Sequence, residues 1–174
     1  MNKDDALKPS RMSERQFVDA FGSVYEHSPW VARDAFRLGI TDAHDSVSGL
    51  SSLMSSAVAR APYENKLELL RAHPDLAGRL ARRGEIAAAS VAEQSGAGLD
   101  QCSPAEFSRF RDLNRRYKAK FGFPFIIAVR DHTRADILRI FEQRLEHGLE
   151  EEFAEALAQV DRIAALRLGL ILAE

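Results

Sequence analysis

Four features of this chain carry residue types and spacings suited to chemistry. The first is His73, in Arg71-Ala72-His73-Pro74-Asp75-Leu76, at the junction of two predicted helices. A histidine there either caps a helix end or is aimed by Pro74, whose ring fixes the backbone, into a cleft. In a cleft, an imidazole with an ordinary pKa of about 6.5 can both take and give a proton at neutral pH. The second is Glu93, three residues after Ser90 in Ser90-Val91-Ala92-Glu93-Gln94. It reads either as the reciprocal partner in a capping box or as a carboxylate offered to a ligand beside free helix amides. Gln94 would add an amide donor and acceptor.

The third is Phe123-Pro124-Phe125-Ile126-Ile127-Ala128-Val129-Arg130. Buried non-helical backbone of this kind leaves amides and carbonyls that must find partners. It is either a buried connector or an edge that meets a flat heterocycle with N–H and C=O groups. The fourth is Arg167, within the apolar run Ala164-Ala165-Leu166-Arg167-Leu168. On an inward face it must be paired or bind an anion; on an outward face only its stem packs.

Other chemistries have no footing. The chain contains no Walker loop, no Gly-x-Ser-x-Gly and no His-Glu-x-x-His. Histidines 27, 44, 73, 132 and 147 never fall at i, i+4, so no metal site is expected. The formal charge of −2 provides no electrostatic footprint for nucleic acid. The single cysteine, Cys102, excludes a disulfide framework. No apolar run approaches the roughly 20 residues of a membrane span. The polar opening Met1–Ser10 lacks an apolar signal-peptide core, so a cytoplasmic location is expected.

The elements that must hold these residues read as helices. Ser13-Glu14-Arg15-Gln16 and Ser103-Pro104-Ala105-Glu106 fit capping boxes. Behind them, Phe17 and Phe21, then Phe107, Phe110, Leu113, Tyr117 and Phe121, recur at helical spacing. Further stripes begin near Trp30, Val47, Pro62, Thr133 and Glu150, the last running to about Leu172. Short helices are expected over 75–83 and from Ser90 to about Gly96. Ile126–Val129 is β-prone, but no second strand-like run exists to pair with it. The expected class is all-α: a single-domain, irregular bundle of about eight helices with no substantial sheet, spanning 13–174 behind a flexible segment, 1–12.

Taken together, the motifs resemble the 2-oxo-4-hydroxy-4-carboxy-5-ureidoimidazoline (OHCU) decarboxylase family. The resembling pieces are Glu26-His27-Ser28-Pro29-Trp30, His73-Pro74-Asp75-Leu76, and Ser90–Gln94 with Ser95-Gly96-Ala97-Gly98-Leu99. They continue with Leu113-Asn114, Tyr117, Phe121–Arg130 and the Ile163–Leu168 segment, in order and over nearly the whole chain. One departure is Asp131, where the family pattern leads us to expect glycine.

The resemblance implies an all-helical fold, usually a homodimer, with no metal or organic cofactor. It implies conversion of OHCU to (S)-allantoin in urate degradation. It also implies that His73, Glu93 and Arg167 are catalytic. Pro74, Ser90, Val91, Ala92, Glu93, Gln94, Phe125, Ile126, Ile127, Ala128 and Val129 match substrate-contacting positions. Loss of carbon dioxide leaves electron density that one proton, delivered from one face, must quench. His73 is the expected donor; Glu93 holds the substrate hydroxyl or His73, and Arg167 the polar ring or its anionic group. Two other readings are a hydrolase of a related ureide, using the same His and Glu to activate water, and a non-catalytic helical interaction module.

Overall fold

Hydroxyl side chains start most of the helices, as the sequence pattern requires. The computed structural model describes residues 7–76 and 103–172. Ser13 accepts from the Gln16 amide, and the Gln16 side chain accepts from the Ser13 amide, opening α1 (Glu14–Phe21). The same reciprocal box, Ser103 with Glu106, opens α5 (Pro104–Phe121), and Thr133 with Asp136 opens α6 (Arg134–Leu145). Amide and hydroxyl bonds from Ser103 hold the Glu106 carboxyl below its ordinary range; the Thr133 hydroxyl and amide do the same for Asp136. Because these pKa values are lowered, the capping contribution is present above about pH 4 and is lost as the pH falls through them.

Between α1 and α5 lie α2 (Trp30–Leu38), α3 (Val47–Arg60) and α4 (Tyr63–Ala72); α7 (Leu149–Leu172) closes the chain. The described residues thus form seven α-helices and no strand. The all-α expectation holds, and so do all the long helices, within a few residues at their ends. The short helix expected from Ser90, and all but the first two residues of the one over 75–83, lie outside the described residues.

The chain divides into two compact units. The first comprises Met1–Ala72 with Val160–Glu174. Within it α1 packs on α2 and α2 on α3, with Phe17, Phe21, Leu50 and Met54 buried. A 3-10 turn, Asp42–Asp45, lies so close to α3 that a Cβ on Gly49 would stand 2.0 Å from the Ala43 carbonyl oxygen. Near the start of the chain, the Ser10 amide and hydroxyl each donate to Asp45 at 2.8 Å.

The second unit is His73–Gln159, and aromatic rings fill it. Phe125 stacks on Phe141 with centroids 3.8 Å apart, and the Tyr117 ring meets Phe123, Phe125 and Phe141 edge-on. Gly122, at φ 78°, ends α5 in the left-handed conformation that costs glycine nothing, and starts the Phe123–Val129 segment. That segment is buried up to Ile127 and neither helical nor paired as a strand, matching the sequence expectation.

The segment leaves through a turn in which the His132 amide donates to the Val129 carbonyl. Asp131, the residue that departs from the family pattern, has φ 70° there. Positive φ at the third position of a turn favours glycine, and aspartate is among the side chains that tolerate it. Asp131→Gly is therefore expected to cost no stability, whereas Asp131→Val should cost about 1–2 kcal/mol. Urea midpoints of the two variants check this; an unaffected valine variant would contradict it.

Candidate active site

In the first unit, α7 carries two charged side chains onto one short segment. Arg167 donates through Nη1 to the Val24 carbonyl at 3.1 Å and through Nη2 to the Glu26 carboxylate at 2.9 Å. Its side chain is only 20% exposed, so the outward-facing reading is excluded. Glu26 reaches it from a turn closed by the Ser28 amide on the Tyr25 carbonyl, with His27 at φ 56°. One turn and a half earlier on α7, Asp161 accepts from the Tyr25 hydroxyl and from Ser55, both at 2.6 Å. Burial above all, then the Asp161 charge and hydrogen bond, pushes the Tyr25 phenol far above its usual pKa, so it remains a donor. That raised pKa gives stability present below about pH 10 and lost as the pH rises beyond it. Val24–Glu26 is thus clamped at both ends, and the Arg167 guanidinium is held in one orientation.

In the second unit, His73 and Pro74 follow α4 directly in non-helical conformation, both half-buried, at the junction the sequence predicted. Asp75 anchors them: its Oδ2 accepts from Asn114 at 2.7 Å and pairs with Lys118 at 2.5 Å, both on α5. Ser90, Val91, Ala92, Glu93 and Gln94 lie outside the described residues.

The Phe125–Val129 backbone is present as expected, but two of its groups are already engaged. Arg144 donates through Nη1 to the Ile126 carbonyl at 2.7 Å, and the Ala128 amide donates to Gln159 Oε1 at 2.9 Å. Arg144 is 4% exposed and its fork closes on Glu152 Oε1 at 2.9 and 2.5 Å. Glu152, fully buried, also accepts from the Tyr117 hydroxyl and meets His147 Nδ1 at 2.8 Å. Burial first, then the bond to Glu152, raises the Tyr117 phenol far above its usual range.

Sequence reasoning missed Arg144, Glu152, Gln159 and Asp161, although a signal existed. Arg144 follows Ile137 and Phe141 on the apolar stripe of α6. Glu152 and Gln159 bracket buried Ala156 at i, i+4, i+7 on α7. The test that singled out Arg167, a polar side chain at an apolar register, applies to each. Among the described residues, no group of three or more His, Cys, Asp or Glu is arranged to hold a metal ion. None of their helices is long and apolar enough to cross a membrane.

A family profile described as OHCU decarboxylase matches residues 10–169. This chain belongs to the OHCU decarboxylase family. Its relatives include the 2-oxo-4-hydroxy-4-carboxy-5-ureidoimidazoline decarboxylase of Haloferax volcanii, 45% identical over 92% of this chain and 91% of the relative. That of Halalkalicoccus jeotgali is 44% identical over 91% and 86%. Among solved structures, an (S)-allantoin synthase matches with a TM-score of 0.74 at 31% identity. The match covers 94% of this chain and 52% of that one, so this family member spans about half of it. The carboxy-lyase class expected from the motifs is the class of the OHCU decarboxylase family.

Proposed function

We propose that this OHCU decarboxylase family member removes the carboxyl group of OHCU and protonates the ring from one face, yielding (S)-allantoin. The observation that carries this reading is the family match over residues 10–169, which takes in every motif singled out from the sequence. The chemistry needs no external electron sink. As the bond from C4 to the carboxylate breaks, its electron pair forms a double bond from C4 to the carbon bearing the ureido group and displaces the ring C=N pair onto nitrogen, which takes a proton from solvent. The C4 hydroxyl then becomes the carbonyl of allantoin, giving up its proton, while the carbon bearing the ureido group gains one. The protein has to orient the ring, stabilise the developing charge and deliver that proton.

His73 is assigned proton delivery. Glu93 is assigned the C4 hydroxyl or the orientation of His73, and Arg167 the anionic or polar edge of the ring. Pro74, the Ser90–Gln94 stretch and the Phe125–Val129 backbone are assigned substrate contact. Support for Arg167 comes from its fixed guanidinium, anchored on the Val24 carbonyl and Glu26. Lysine cannot reproduce a planar fork, so Arg167→Lys should lower kcat/KM at least about tenfold. Unchanged kinetics in that variant would place Arg167 outside the site. The protein is further assigned to the cytoplasm as a homodimer; the family resemblance supports the dimer, and light scattering of the purified chain tests it.

The test of the reaction is to generate OHCU from urate in situ, add the protein and measure the gas and nitrogen products. Accelerated release of carbon dioxide without ammonia is the expected result. Ammonia or ring opening in its place would favour the ureide hydrolase, and no acceleration the interaction module.

A further inference from the structure

The Phe123–Val129 segment has no neighbouring strand, yet one edge of it is held as a strand would hold it. The two side-chain bonds to it fall at residues 126 and 128, the i, i+2 spacing of one edge of an extended chain. Arg144 supplies the donor that a partner strand's amide would, and Gln159 the acceptor that its carbonyl would. Both are fixed in turn. The Gln159 amide donates to Glu155 Oε1 at 2.7 Å, which determines which end of it faces Ala128. Glu152 fixes Arg144, whose guanidinium also lies 4.6 Å from the Phe125 ring centre. In an extended chain, successive residues turn their N–H and C=O groups to opposite edges. Ile127 therefore turns its pair away from Arg144 and Gln159, and neither group has a hydrogen-bond partner among the described residues.

We infer that Gln159, with Arg144, is a positioning residue for the reaction: it sets the register and depth of the Ile127 backbone edge that meets the substrate ring. Gln159 is 5% exposed and its hydrogen bond to the segment is through its acceptor, so it acts through the Ala128 amide and not on the ring. The inference rests on the assignment of Phe125–Val129 to substrate contact.

The experiment is steady-state kinetics on OHCU for the wild type and Gln159→Met. Methionine keeps the length and removes the acceptor. An edge that reads the ring before and during reaction contributes uniform binding, so Gln159→Met should raise KM about tenfold with kcat within about threefold. If the methionine variant does not fold, Gln159→Asn, which draws the acceptor back by one methylene, should show the same KM-selective loss. A folded methionine or asparagine variant with wild-type KM, beside an active wild type, overturns the positioning role alone. Loss of kcat at constant KM also overturns it. A wild type inert towards OHCU overturns the functional reading, and the positioning role with it.

Discussion

His73→Ala should lower kcat on OHCU by about two to four decades while leaving the helical circular dichroism of the protein intact. The imidazole stands just past the end of α4, half-buried and outside any helix, so the substitution changes no residue within a helix. What it is assigned to supply is a proton at a fixed place. Without it, water must deliver the proton from either face. The variant should therefore lose rate and stereochemical control together, which separates a proton donor from a residue that only fills space. His73→Gln, which keeps hydrogen-bonding capacity but cannot transfer a proton at neutral pH, should fare no better. A folded His73→Ala protein with near-wild-type turnover would remove histidine from the chemistry.

The largest effect on stability should come from Glu152→Ala, at about 3–5 kcal/mol. Glu152 is fully buried, and Arg144 is 4% exposed. Removing the carboxylate leaves a buried guanidinium with the Ile126 carbonyl as its acceptor, and deprives the Tyr117 hydroxyl of its acceptor too. Against a total stability of about 5–15 kcal/mol for an ordinary domain, that loss is large. Replacing both ions, as Arg144→Met with Glu152→Leu, removes the stranded charge and should recover much of the stability. The double variant would still lack the donor to Ile126. Its recovery in a urea titration should therefore exceed its recovery in KM. A Glu152→Ala midpoint equal to that of the wild type would show that the ion pair contributes nothing to folding.

The helices were legible because their signals are local. Ser13 with Gln16 and Ser103 with Glu106 announce helix starts within four residues, and the stripes behind them repeat at a period that only a helix satisfies. The non-helical segment after Gly122 was legible for the converse reason: Pro124 breaks the helix and no second β-prone run exists. What holds that segment was not legible. Arg144 and Gln159 lie 18 and 31 residues beyond the groups they bind, and nothing local marks an arginine or glutamine as a stand-in for a missing strand. Arg167 stood out only because its neighbours are all apolar. Its partner Glu26, 141 residues away, could be paired with it only in three dimensions. Asp131 is an intermediate case: the family pattern pointed to glycine, and its positive φ gives the physical reason.

The most direct measurement is the optical rotation of allantoin formed from urate-derived OHCU in the presence of this protein. Spontaneous decay yields a racemate, so a growing signal of the (S) form, accompanied by faster carbon dioxide release, is the predicted result. Allantoin that stays racemic while carbon dioxide release is no faster than without the protein would contradict it.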